Sequence, residues 1–178
     1  MAASTPLFPA SLISAEVVSS LPDGFTIRPL EKGDFAKGFV ECLAGLTWMG
    51  NLSVGQLESR YDEMDTQGKG PYYYVVIEHQ GHVVGTGAVI VEKKFIQNCA
   101  LVGHVEEICV SERHRRKGLG LAMLRALDSV AAKVGCSKNI LNCNPNKDVF
   151  YHKCGYDRSG MEMQHKFGTD EAEAAPAS

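Results

Sequence analysis

The chain has 178 residues, 44% of them apolar and 22% charged, with a net charge of −3. That length favours one domain able to bury a real core, and the near-neutral balance argues against a broad nucleic-acid-binding face. No run approaches the roughly 18 apolar residues of a membrane span.

Residues 1–20 are rich in Ala, Ser and Pro and read as a flexible N-terminal arm. The first basic residue is Arg28, so no charged segment precedes an apolar run as in a secretory leader. Phe25–Leu30 reads as a short strand. From Asp34 to Leu46 the residues Phe35, Phe39, Leu43 and Leu46 recur at helical spacing, with Asp34 as N-cap. Ser53-Val-Gly-Gln56 matches a capping box, followed by Leu57, Tyr61 and Met64 on one helical face. Pro71–His79 is aromatic and β-branched, Gln80-Gly81 is a turn signal, and His82–Phe95 is the second arm of a hairpin. Gly85 and Gly87 mark a bulge in that arm.

His104–Val110 is a further strand. Gly118–Val134 carries the strongest helical pattern, with Leu121, Leu124, Leu127, Ala131 and Val134 on one face and Gly135 closing it. Lys138–Cys143 reads as a strand, Lys147–Cys154 as a short helix, and Tyr156–Phe167 as a final strand. The fold class is therefore α/β in the mixed, α+β sense: a central mixed sheet flanked by helices. Residues 21–167 form the domain, and the small, acidic stretch 168–178 reads as a disordered tail.

The six cysteines (Cys42, Cys99, Cys109, Cys136, Cys143 and Cys154) are scattered without Cys-x-x-Cys or zinc-finger spacing. They read as buried small hydrophobes and free thiols of a cytoplasmic protein, and no metal site is expected.

The sharpest motif is Arg115-Arg116-Lys117-Gly118-Leu119-Gly120, directly after a strand and opening the long helix. Unpaired amides at a helix start, glycines that admit an anion and flanking cations together suit a pyrophosphate. The Gly-Lys-Ser/Thr of a phosphate-binding P-loop is absent, and position 123 lacks the third glycine of a dinucleotide fingerprint. On spacing alone, a solvated basic loop fits equally well.

Arg115-x-x-Gly118-x-Gly120 resembles the signature of the GNAT acetyltransferase superfamily. The wider resemblance rests on Leu21-Pro-Asp-Gly-Phe25 with Ile27-Arg28, Gly103-His-Val-Glu-Glu-Ile108, Phe150-Tyr151, Lys153-Cys-Gly-Tyr156 and Glu162-Met-Gln164. It spans residues 21–167 and is strongest for members that acetylate amino-sugar phosphates. It implies the acyl-CoA N-acyltransferase fold, with acetyl-CoA as co-substrate. It also implies transfer to the amine of D-glucosamine 6-phosphate on the route to UDP-N-acetylglucosamine, and an intimate homodimer. The alternatives are another small-amine or protein N-acetyltransferase on this fold, or a non-catalytic acyl-CoA-binding module.

The resemblance implies that Arg115, Arg116, Lys117, Gly118, Leu119 and Gly120 hold the pyrophosphate. Ile108, Cys109 and Val110 would bind the acyl-CoA arm through their backbone, with Ile108 also near the sugar. Tyr151 matches the tyrosine that protonates the leaving thiolate, a role suited to a phenol whose ordinary pKa is about 10; the residue alone fits a core aromatic equally well.

Glu106 and Glu107 are adjacent on a strand, so a regular strand buries one and exposes the other. The resemblance implies that both lie near the substrate, where a carboxylate could orient the ammonium and help accept its proton; a solvated edge pair is the alternative. Relatives often carry Asp at the second position and a carboxylate where this chain has Asn142, which shifts weight onto the two glutamates. A covalent acyl-enzyme on Cys109 is the alternative chemistry; no histidine lies beside it in sequence, and the resemblance implies direct transfer. Thr47, Lys94, Phe95, Ile96, Gln97, Lys138 and Lys166 are the candidate sugar-phosphate contacts, with Lys138 and the final strand reaching the partner subunit's site.

Overall fold

The structure, a computed structural model, describes residues 5–165 and 167. Five strands form one sheet in sequential order: β1 (Phe25–Pro29), β2 (Tyr72–His79), β3 (His82–Lys93), β4 (Leu101–Val110) and β5 (Cys136–Ile140). The first four are antiparallel neighbours, and β4 and β5 are parallel. The helices are α1 (Ala15–Ser19), α2 (Phe39–Leu43), α3 (Val54–Met64), the short turn α4 (Ile96–Cys99), α5 (Leu119–Lys133) and α6 (Asp148–Lys153).

The sheet is covered on both faces. Gly87 of β3 meets Met123 of α5, so closely that a Cβ there would lie 2.9 Å from its Cγ. The neighbouring Thr86 pairs with Cys109 of β4, whose thiol bonds the Cys42 carbonyl of α2 at 3.0 Å. Successive strand residues point to opposite faces, so α5 and α2 sandwich the sheet. Val75, Val76, Ile77, Val89, Leu124, Leu127 and Val130 fill the interior and are fully buried. The inward stripe of α5 centres on Met123, Leu127 and Val130, and the expected Leu121 and Val134 sit half-buried at its margins.

Residues 5–20 pack against the domain instead of forming a loose arm. Leu7, Phe8, Ile13 and Val17 are buried in the main core. The segment is tied down by the Leu7 amide to the Leu30 carbonyl at 2.9 Å, by Ser129 Oγ to Leu12 at 3.0 Å and by Lys133 Nζ to Ser11 at 2.7 Å. Its composition is loop-like because it has little regular structure, but its few apolar residues each find a pocket.

Asp34 does not cap a long helix. A short 3₁₀ turn (Lys32–Ala36) replaces the first half of that helix, and the chain reverses at Gly38 before α2 begins. Asp34 is fully buried and takes a bidentate ion pair from Arg28 at 2.7 and 2.8 Å, plus the Glu31 amide at 2.9 Å. Leu46, expected on the buried face, lies past the helix end and is exposed. The Ser53–Gln56 capping box forms as expected, with the Ser53 amide bonding Gln56 Oε1 at 2.9 Å.

The expected final strand is absent among the described residues: 156–165 and 167 make no ladder. Met161, Met163 and Phe167 are each 90% exposed. β5 also ends earlier than expected, at Ile140, which leaves Asn142 and Cys143 in a loop.

Candidate active site

β4 and β5 pair only from Leu101–His104 to Cys136–Ile140. Beyond that point β4 continues to Val110 while the chain after Ile140 leaves the sheet. The strands part, and residues 105–110 present one unpaired backbone edge to a wedge. Ile108, Cys109 and Val110 lie along this edge.

At the end of the wedge stands the N-terminus of α5. Gly118 is its N-cap, in the left-handed region (φ 79°), and no side chain caps the first turn. A Cβ at Gly118 would meet nothing within 4 Å, so the turn is open to a ligand. Arg116 is also left-handed (φ 65°), an uncommon conformation for a non-glycine residue that clusters at functional sites. Two left-handed residues around Lys117 turn successive amides toward one side, the geometry of an anion-binding nest. Arg115 is held by its Nε on the Val110 carbonyl at 3.1 Å, and Lys117 lies over the Phe25 ring at 5.4 Å.

α6 closes the same end. Phe150 packs against α5 where the chain has no side chain: a Cβ at Gly120 would lie 3.1 Å from Phe150 Cζ. The next residue, Tyr151, is half-buried against the core, near Glu106. Burial, then the nearby Cys143 and Cys154 thiols and the Glu106 charge, raise the Tyr151 pKa, so its phenol stays protonated at neutral pH. No hydrogen bond engages that hydroxyl among the described residues.

A bulge decides where the two glutamates point. Thr86 pairs with Cys109 and Ala88 with Glu106, so Gly87 alone faces both Glu107 and Ile108. Glu107 takes a left-handed φ of 55°. The regular alternation that would hide one carboxylate is broken, and both Glu106 and Glu107 reach solvent. The protein crowded around Glu107 desolvates it and raises its pKa, and the Glu106 charge raises it further, against the opposing influence of the Tyr74 hydroxyl. Tyr74 was not singled out in the sequence, where it is one of three consecutive tyrosines. A regular two-residue hairpin through Gln80-Gly81 would set it against Gly87. A register shift beyond Ile77 sets it instead against Ala88, in the same row as Glu106. Only that shift could have flagged it.

The remaining candidates are placed apart. Asn142 is exposed in the loop after β5, and Thr47 is exposed just past α2, two residues from Gly45, whose Cβ would lie 3.2 Å from Cys109 Sγ. Lys94, Phe95, Ile96 and Gln97 lie at the β3–β4 connection, and Lys138 pairs with Val102. These five sit at the opposite end of β4, about 15 Å along the strand from Glu106. Lys94 is ion-paired to Glu92, which also binds His104 at 2.8 Å. Lys166 lies outside the described residues. No cluster of His, Cys, Asp and Glu suited to a metal occurs among the described residues, and no helix among them is long and apolar enough to cross a membrane.

Known proteins carry this architecture. The profile described as "Acetyltransferase (GNAT) family" matches residues 44–156. Glucosamine 6-phosphate N-acetyltransferase 1 of Dictyostelium discoideum is 36% identical over 146 residues, covering 82% of this chain and 92% of that protein. Glucosamine 6-phosphate N-acetyltransferase of Candida albicans is 37% identical over 147 residues, covering 83% and 99%. The crystal structure of glucosamine-6-phosphate N-acetyltransferase from Arabidopsis thaliana superposes with a TM-score of 0.78 at 37% identity, over 81% of this chain and 99% of that one.

Proposed function

This chain belongs to the acetyltransferase (GNAT) family, and from that premise we propose that it acetylates the amine of D-glucosamine 6-phosphate with acetyl-CoA, giving N-acetyl-D-glucosamine 6-phosphate for UDP-N-acetylglucosamine synthesis. The observation that carries the reading is the wedge where β4 leaves β5, because it joins an unpaired strand edge, an uncapped helix start, two carboxylates and a phenol in one place.

The pyrophosphate of acetyl-CoA sits on the amides that begin α5, with Arg115, Arg116 and Lys117 around it. The pantetheine arm extends along the free edge of β4 and exchanges backbone hydrogen bonds with Ile108, Cys109 and Val110. An amide of that edge donates to the thioester oxygen and stabilises the negative charge that grows there. Glu106 and Glu107 attract the substrate ammonium and accept its proton, Glu107 serving as base, directly or through water. The freed amine attacks the carbonyl carbon, and Tyr151 protonates the departing thiolate. Asn142 can accept a hydrogen bond from the amine but cannot attract it as a charge.

Transfer is direct, with both substrates bound at once. In support, the Cys109 thiol is buried and engaged by the Cys42 carbonyl rather than presented to the wedge.

The acting species is a homodimer. Lys138, Lys94 and Gln97 lie too far along β4 to serve the wedge of their own subunit, and Met161, Met163 and Phe167 are each 90% exposed. A second copy covers that apolar segment and brings the cations to the sugar phosphate. The six free cysteines suit a reducing cytoplasm.

Release of CoA thiol, followed with glucosamine 6-phosphate and a panel of other amines, tests the reading. Release that depends on glucosamine 6-phosphate is expected. Release with other amines alone would reassign the substrate, and none with any amine would leave only an acyl-CoA-binding module.

A further inference from the structure

We propose that Asp128 of α5 is a positioning residue of the transfer: by accepting the Tyr156 hydroxyl it fixes Tyr151 against the helix whose first turn receives the pyrophosphate. This rests on the role given to Tyr151 above.

The turn after α6 couples Tyr156 to Tyr151. Gly155 is left-handed (φ 93°). Its amide bonds the His152 carbonyl at 3.0 Å, and the Tyr156 amide bonds the Tyr151 carbonyl at 3.0 Å. These two bonds make a Schellman motif, in which the second residue past the helix end packs on the residue whose carbonyl it takes. The rings of Tyr151 and Tyr156 meet edge to face in this way, with centroids 6.3 Å apart. Tyr156 is tied to Tyr151 by both backbone and ring, so whatever holds one holds the other.

The anchor of Tyr156 is on α5. Its hydroxyl donates to Asp128 Oδ1 at 2.7 Å, and Asn139 Nδ2 of β5 donates to the same oxygen at 2.7 Å. A phenol-to-carboxylate bond is charge-assisted and about twice as strong as a neutral one. Burial, then that bond and the Asp128 charge, push the Tyr156 pKa upward against the pull of Asn139, so the phenol stays a donor. The Asn139 amide is itself confined: Asn139 pairs with Gly103 of β4, where a Cβ would collide with the amide oxygen. One carboxylate therefore joins α5, β5 and the turn after α6, beside the point where β5 ends.

The other end of α6 is fixed by the Phe150 ring in the notch at Gly120. Gly120 and Asp128 are on the same helix, about 12 Å apart along its axis. Anchors at Phe150 and Tyr156 flank Tyr151 and stop α6 from sliding or swinging on α5. The phenol thereby keeps one place relative to the turn that opens α5.

The test is a double-mutant cycle of Tyr156→Phe and Tyr151→Phe in the full chain. The readout is the single-turnover rate of CoA thiol release with the amine that supports parent turnover. Tyr156→Phe keeps the ring and removes the bond. It should slow the single turnover about tenfold, the cost of a small misplacement of the acid, with acetyl-CoA affinity by calorimetry unchanged. In the Tyr151→Phe background the same substitution should change the rate less than about twofold, because the group that it positions is gone. A parent-like rate for Tyr156→Phe would leave the bond a structural role only and overturn the proposal, as would an equal loss in both backgrounds. Should Tyr156→Phe not fold, Asp128→Ser takes its place in the cycle: the shorter side chain withdraws the acceptor from the Tyr156 hydroxyl, and the same two outcomes decide. A parent-like rate for Tyr151→Phe alone would instead remove the acid, so failure of that reading and failure of the role of Asp128 appear in different variants.

Discussion

Tyr151 and Gly118 carry the chemistry most open to a single substitution. Tyr151→Phe removes the proposed acid and keeps the ring that packs beside Phe150 and Tyr156. General-acid catalysis contributes about 10²–10⁴-fold, so steady-state kinetics should show kcat reduced at least about 100-fold with acetyl-CoA affinity little changed. Gly118→Asp tests the cradle. Asp tolerates left-handed backbone better than most residues, so the fold should survive, while a carboxylate beside the pyrophosphate should weaken acetyl-CoA binding at least about tenfold by calorimetry. Asp34 matters for stability instead. Desolvation raises its pKa, but the Arg28 hydrogen bonds, the Glu31 amide and the charges of Arg28 and Lys37 outweigh this, and the net shift is downward. A depressed carboxyl stabilises the fold above the unfolded-state pKa of about 3.9 and loses that contribution as pH falls through the lower native value. Urea melts should therefore show stability falling below about pH 4. Asp34→Ala, which leaves Arg28 paired with Glu78 alone, should cost about 1.5–3 kcal/mol and blunt that acid loss.

Among the elements, the N-terminal segment and α5 illustrate opposite cases. α5 was legible because its boundaries depend on residues next to them: Gly118 before, Gly135 after, and an apolar repeat between. Its inward direction was less so, since Leu121 and Met123 compete for the face and only the contact with Gly87 settles the matter. Residues 5–20 depart from the expected arm because composition reports flexibility on average, whereas Leu7, Phe8, Ile13 and Val17 are individually buried. Each such side chain is worth about 1.5–3 kcal/mol, so four of them rival the stability of a whole domain. A chain lacking residues 1–20 should lose its cooperative thermal transition in near-UV circular dichroism. A melt within a few degrees of the full chain would contradict that packing.

At the level of the whole molecule, the proposed catalytic groups gather at one end of β4 and the candidate phosphate cations at the other. The proposed homodimer would resolve the separation. Lys138→Ala should raise KM for glucosamine 6-phosphate about tenfold with kcat nearly unchanged. Mixing it with Tyr151→Phe should restore activity, because one site of each mixed dimer then has both an intact phenol and an intact lysine. Activity of the mixture no greater than the sum of its parts would place Lys138 in its own subunit's site or outside the reaction.

The hairpin, the capping box, the long helix and the Arg-x-x-Gly-x-Gly turn could be read directly from the chain, since each is set by the torsional limits and charges of residues a few positions apart. The candidate groups of the wedge, Glu106, Glu107 and Tyr151, came from the family resemblance instead. Tertiary partners could not be read from the chain. That both glutamates reach solvent at a bulge, that Asp34 meets Arg28 instead of capping a helix, and that residues 7–17 pack under α5 all depend on bulges and shape matching between distant segments. A shift of one residue in strand register reverses which side chains share a face, and only the folded sheet decides it.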